Sequence, residues 1–113
     1  MIRIALVDDH ALFRRGLRLL LESHPDFEVV ADAASGEEFL AEVERLRPDV
    51  VFMDYAMPGL NGAATTERAL ALRPELKVIS LSMFGDNAYY SSMASSGARG
   101  FLLKDSEFDE VVE

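Results

Sequence analysis

An α/β fold, with one five-stranded parallel sheet and helices on both faces, is predicted by two features of the sequence. Short apolar runs alternate with longer segments of helical periodicity, five times over. The runs are close to continuous in apolar residues, as strands covered on both faces must be. Strands joined through helices make right-handed crossovers and therefore pair in parallel. A parallel sheet of five strands needs a switch point, which the order 2-1-3-4-5 supplies; alternation alone leaves the order open.

The first strand is Ile2–Val7 (IRIALV), apolar except at Arg3. A helix follows over Ala11–His24, with Leu12, Phe13, Leu17, Leu20 and Leu21 at helical spacing. Pro25 stops it, because the residue before a proline avoids the α region. Phe27–Ala33 reads as the second strand. Ser35–Arg47 reads as the second helix, opened by a capping box of Ser35 and Glu38, with Phe39, Leu40, Val43 and Leu46 as its apolar stripe. Pro48 introduces the third strand, DVVFM (residues 49–53), and a helix from Gly62 to Arg73 is closed by Pro74. Lys77–Ser82 is the fourth strand. A helix from Asp86 to Ser96 ends at Gly97, a residue that accepts the left-handed cap conformation. Ala98–Leu103 is the fifth strand, and a last helix starts near Ser106. The arrangement is flavodoxin-like.

Composition narrows the function. A chain of 113 residues, half of them apolar, has enough core for one domain. No run approaches the ~18 apolar residues of a membrane span, and the N-terminus MIRIALVDDH has none of the parts of a signal peptide. The lack of Cys excludes disulfides and thiolate metal sites and fits a cytoplasmic protein. The net charge of −9 argues against binding a phosphate backbone, which requires a basic face.

The strands end in chemistry. Ligands of open α/β sheets bind beyond the C-terminal ends of the strands, at the switch point. Those positions hold Asp8 and Asp9 after strand one, Asp54 after strand three, Ser82 at the end of strand four and Lys104 after strand five. In the order 2-1-3-4-5, strands one and three are neighbours, so the three carboxylates share a crevice. Either a cation sits among them or one of them takes a proton; for a cation, the all-oxygen donor set points to Mg²⁺. Lys104 and the Ser82 hydroxyl suit the oxygens of a tetrahedral anion. With no glycine-rich phosphate loop to hold a nucleotide, Asp54 itself becomes the candidate nucleophile, forming an aspartyl-phosphate. Asp9 is the more direct metal ligand of the first pair. Each residue taken alone has a plainer reading: Asp8 and Asp9 as helix caps, Asp54 as a turn residue, Ser82 as a strand-end cap and Lys104 as a solvated lysine. The plain readings do not explain the set.

The chain resembles the receiver domain of bacterial two-component response regulators over its whole length. The motifs are VDD (Val7–Asp9), D-x-x-M-P-x-x-x-G (Asp54–Gly62), Ser82, and GFLLK (Gly100–Lys104). VDDHALFRRGL, LSMF and LLKDS are most similar to the NarL/FixJ (LuxR-type) subfamily. The resemblance implies that Asp54 accepts a phosphoryl group from a histidine kinase, and that Asp9, Asp54 and the backbone carbonyl of Ala56 bind Mg²⁺, with Asp8 acting through water. It implies that Lys104 pairs with the phosphate, that Ser82 bonds it, and that Phe101 turns inward as the switch. Receivers assist their own phosphorylation and dephosphorylation but are not turnover enzymes. Such domains act in the cytoplasm, and the subfamily adds a C-terminal helix-turn-helix DNA-binding domain, absent here.

Several residues depart from the common pattern. Phe101 stands where Tyr is commoner, and Met83 is larger than usual. Apolar Ala56 and Phe84 flank the path of a hydrolysing water, which predicts a long-lived phosphoryl group. Asp105 in place of a proline predicts a trans bond after Lys104. His10 is read as a rim residue, and His24 as a helix-end cation favoured by the dipole. Glu113 falls eight residues into the last helix, so the chain is expected to be cut from a longer protein. The apolar surface left bare predicts a homodimer, and one of Tyr89 and Tyr90 is expected on the output face. Three rivals remain. A haloacid-dehalogenase-type phosphohydrolase would require Asp at position 56, which is Ala56. A flavin module would require a Ser/Thr/Gly-rich first loop. A phosphorylation-independent interaction domain would not use the set Asp9, Asp54, Ser82 and Lys104.

Overall fold

A computed structural model describes residues 2–55, 57–82 and 87–103, with the backbone alone for 82, 87–90, 102 and 103. The elements run β1 (Ile2–Val7), α1 (Ala11–Glu22), β2 (Phe27–Ala33), α2 (Gly36–Leu46), β3 (Val50–Asp54), α3 (Gly62–Leu72), β4 (Lys77–Ser82), α4 (Asn87–Ser96) and β5 (Gly100–Leu103). All strands pair in parallel, in the order β2-β1-β3-β4-β5. The expectations for Ala56, Met83, Phe84, the side chains of Tyr89 and Tyr90, Lys104, Asp105 and the helix from Ser106 lie outside the described residues.

Alternate residues of each central strand feed opposite cores, the period-2 geometry of a pleated strand. Ala5, Val7, Val51, Met53 and Val78 pack with Phe39 and Val43 of α2, Ala63 and Ala69 of α3, and Met93 of α4. Ile4, Leu6, Phe52 and Leu81 face the other way, onto Leu17 and Leu21 of α1. The two layers explain why the central strands read as unbroken apolar runs.

The expected stripe of α1 is too wide. Leu12 is 84% exposed and Leu20 45% exposed. The buried seam is Phe13, Leu17 and Leu21, one residue per i, i+4 step, and a helix lying on a flat sheet covers only that seam. The same helix ends two residues earlier than expected. Ser23 caps it, with its hydroxyl donating to the Leu20 carbonyl at 2.6 Å. His24 therefore lies beyond the helix rather than in its last turn. Its ring stacks on Phe27 with centroids 4.3 Å apart, and its Nδ1 accepts from the Asp26 N–H at 3.2 Å.

The predicted cap of α2 is half formed. Ser35 Oγ accepts from the Glu38 N–H at 3.1 Å, while Glu38 reaches the Ala34 N–H at 3.4 Å rather than that of Ser35. At the other end Arg47 takes a left-handed conformation (φ 48°). The fifth strand starts at Gly100 rather than Ala98, because the preceding residues complete the end of α4. Gly97 (φ +114°) and Ala98 donate back to the carbonyls of Ala94 and Met93, the pairing of a Schellman cap.

Candidate functional site

Strand β3 ends in a buried carboxylate because its neighbour does the same. Val7 pairs with Met53, so Asp8 and Asp54, each one residue further on, stand side by side at the C-terminal edge of the sheet. Asp8 is 1% exposed and Asp54 3%. The Asp8 N–H donates to the Ala33 carbonyl at 3.1 Å, which carries the β1–β2 pairing one step past the strand end. Asp8 Oδ1 in turn accepts the His10 N–H at 2.7 Å. The His10 ring follows its backbone, with Nδ1 3.2 Å from Asp8 Oδ1 and 3.6 Å from Asp9 Oδ1. One ligand atom each from Asp8, Asp9, His10 and Asp54 lies within 4.8 Å of the other three.

Neither acid of the first pair is the N-cap residue of α1. The N-cap of α1 is His10, whose own side chain makes no cap hydrogen bond, and both acids precede it. Nor is Asp54 a turn residue, since it closes β3 and pairs with Leu81 of β4. Two carboxylates ~4 Å apart repel by roughly 4 kcal/mol at an effective dielectric of 20. The two buried acids have little water to screen them. Three convergent carboxylates are the donor set of a hard divalent cation, and the residues fit Mg²⁺.

Arg14, in the first turn of α1, ties the site to that helix. Its Nη1 donates to the backbone carbonyl of Asp8, and its Nε pairs with Asp32 at the end of β2. Arg18 Nη1 reaches the other Asp32 oxygen at 3.2 Å. The ends of β1 and β2 are thereby joined through one guanidinium. The signal available in the sequence was an arginine one turn into the helix that follows the acids.

The turn after Asp54 depends on close backbone approach. The Gly62 N–H donates to the Tyr55 carbonyl at 2.8 Å, and a Cβ on Gly62 would lie 2.3 Å from the Asp54 carbonyl oxygen. Asn61 then caps α3, its side chain accepting from the Ala64 N–H at 2.9 Å. Gly59 adopts φ +75°, a left-handed conformation that glycine takes without strain. The turn thus carries the chain from the strand end directly into a helix while Asp54 stays at the sheet edge.

Of the remaining candidates, the backbone of Ser82 ends β4 one residue past Leu81, the partner of Asp54. Leu103, the residue before Lys104, pairs with Ser82. Phe101 is 42% exposed and pairs with Ser80. His10, read as a rim residue, lies beside the acids with a side chain 57% exposed.

The chain is similar to known proteins in sequence and in fold. The family model of the response regulator receiver domain matches residues 4–113. The transcriptional regulatory protein DegU of Brevibacillus brevis is 41% identical over 112 residues, covering 99% of this chain and 48% of that protein. A two-component response regulator of the LuxR family from an Aurantimonas species is 34% identical with a TM-score of 0.91, covering 97% of this chain and 79% of that one. The signal receiver domain of NarL from Mycobacterium tuberculosis is 34% identical with a TM-score of 0.92, covering 98% and 90%. The chain spans about half the length of the curated relatives it matches. Among the described residues, no helix is long and apolar enough to cross a membrane.

Proposed function

The chain belongs to the response regulator receiver domain family, as a NarL/FixJ-type phosphorylation-controlled signalling switch, and on that premise we propose that Asp54 is its phosphoacceptor. The observation that carries this reading is the meeting of Asp8, Asp9 and Asp54 at the ends of two adjacent strands, their ligand atoms within 4.8 Å. A carboxylate oxygen of Asp54 attacks the phosphorus of a phosphohistidine on a sensor histidine kinase. The phosphorus–nitrogen bond breaks and the imidazole leaves with the bonding pair. Asp9, Asp54 and the carbonyl of Ala56 are the groups that would hold Mg²⁺, with Asp8 acting through water. When bound, the ion neutralises charge on the transferring oxygens. Arg14 and the Gly62 turn keep Asp8 and Asp54 in register, so the chain's own contribution is positioning.

Lys104 pairs with the phosphate and Ser82 bonds it in this reading, and Phe101 follows by turning inward. The 42% exposure of Phe101 supports a motion that would bury it. The change remodels the face of α4 and β5, promotes a homodimer and passes to a DNA-binding output domain in the cytoplasm. Such output domains belong to the subfamily.

The test is incubation with Mg²⁺ and a small phosphodonor, or with beryllofluoride, followed by intact mass and self-association measurements. One phosphoryl unit on the native chain and none on Asp54→Asn is the expected result. An unmodified native chain, or equal modification of the variant, overturns the assignment.

A further inference from the structure

We propose that His10 is a fourth donor at the acidic pocket, so that the site takes borderline divalent transition cations of the Ni²⁺ class through an imidazole nitrogen beside its carboxylates. The inference rests on the metal-binding reading above and deepens it. Its basis is geometric. Neighbouring donors on one octahedral ion with bonds of ~2.1 Å lie about 3.0 Å apart, and opposite ones about 4.2 Å. His10 Nδ1 is 3.2 Å from Asp8 Oδ1 and 3.6 Å from Asp9 Oδ1. The whole set, Asp54 included, lies within 4.8 Å. Nδ1 thus stands 3.6 Å from an oxygen of Asp9, the direct ligand, a few tenths of an ångström beyond the spacing of adjacent donors, and it can exchange its 3.2 Å contact with Asp8 for a shared ion.

The ring is held there by its Nδ1 contact with Asp8 Oδ1 at 3.2 Å and by its backbone. Asp8 Oδ1 accepts the His10 N–H at 2.7 Å, and the His10 carbonyl accepts the first bond of α1, from the Arg14 N–H at 2.9 Å. Fixing the backbone on both sides leaves the imidazole only its two side-chain torsions to order. A purely carboxylate pocket selects hard ions such as Mg²⁺. Adding one neutral nitrogen raises affinity most for Ni²⁺, Co²⁺ and Zn²⁺, because imidazole suits these metals and Mg²⁺ prefers oxygen. The pocket would then load with such a cation in competition with the ion that supports phosphoryl transfer.

The experiment uses tag-free protein, Ni²⁺ and Mg²⁺ by calorimetry, and the hyperfine-shifted proton NMR spectrum of the Ni²⁺ form. In the native chain one exchangeable imidazole N–H is expected among the shifted signals, lost in His10→Ala and retained in His24→Ala. Ni²⁺ affinity is expected to fall about tenfold in His10→Ala. Ni²⁺ affinity within twofold of native, or a native spectrum without a His10 signal, overturns the proposal. The spectrum of the native chain decides the matter without any variant. Failure of the native chain to take up Mg²⁺ or a phosphoryl group would strike the functional reading instead, so the two failures are distinct.

Discussion

Gly62→Ala is expected to destabilise the protein and displace its phosphoacceptor, although alanine is the better helix former. The added Cβ would sit 2.3 Å from the Asp54 carbonyl oxygen, 2.7 Å from Tyr55 Cα and 3.0 Å from the Asp54 carbonyl carbon. Ordinary carbon–oxygen contact is about 3.4 Å, so roughly 1 Å of overlap must be relieved. All three atoms are backbone, and no flexible side chain can give way. Relief requires the end of β3 and the first turn of α3 to part, which moves Asp54 relative to Asp8. Overpacking of this kind costs about 1–3 kcal/mol. The backbone entropy recovered by replacing glycine in a helix returns about 0.5–1 kcal/mol, leaving a net loss of about 1–2 kcal/mol. Gly16 in α1 supplies an internal control, since its added Cβ meets nothing within 4 Å. Gly16→Ala should gain about 0.5–1 kcal/mol. Urea unfolding of the three proteins, with Mg²⁺ titration of each, measures both effects. The expected outcome is opposite shifts in midpoint, and weaker Mg²⁺ binding in Gly62→Ala alone. If the two alanine variants shift in the same direction, or Gly62→Ala binds Mg²⁺ as well as the native chain, the close-approach argument is wrong.

Other substitutions probe the remaining joints. Arg47→Gly should stabilise the chain by about 1 kcal/mol, since a left-handed conformation is strained in any residue with a side chain; thermal unfolding, with roughly 4 °C per kcal/mol in a domain of this size, reads the gain. Ser35→Ala removes the acceptor of the Glu38 N–H and should lose about 1 kcal/mol in the same assay, while Ser35→Asp should not. Arg14→Ala breaks the links to the Asp8 carbonyl and to Asp32, both in a mostly buried setting. It should cost about 1–2 kcal/mol and weaken Mg²⁺ binding severalfold, and calorimetry showing native Mg²⁺ affinity would remove Arg14 from the site.

The extent of agreement differs between elements for physical reasons. β1 and β4 start and stop where the apolar runs do, because both of their faces are covered; β2 also has the expected bounds, although as an edge strand it carries Glu28 and Asp32 and is only partly buried. β5 begins two residues late, since Ala98 and Arg99 look like strand by composition but Ala98 spends its N–H on the cap of α4. Leu12 and Leu20 have the same hydrophobicity as Leu17 and Leu21, and only the orientation of α1 on the sheet separates them. For the site, Asp8, Asp9 and Asp54 were legible because acids directly after apolar runs are conspicuous. Arg14 and His10 were not, since their roles lie in a backbone carbonyl and a ring nitrogen that no spacing reveals.

The order of apolar runs, helical stripes and breakers in this chain is enough to dictate alternating strands and helices, and to set a carboxylate at the end of two of the strands. Those are local properties, written in residues a few positions apart. Which strands become neighbours depends on how the crossovers pack, and that choice alone brings residues some 45 positions apart to the same edge. The pairing of β1 with β3, and with it the meeting of Asp54 with Asp8 and Asp9, was decided by tertiary structure, because distances across a sheet follow from packing and not from sequence separation.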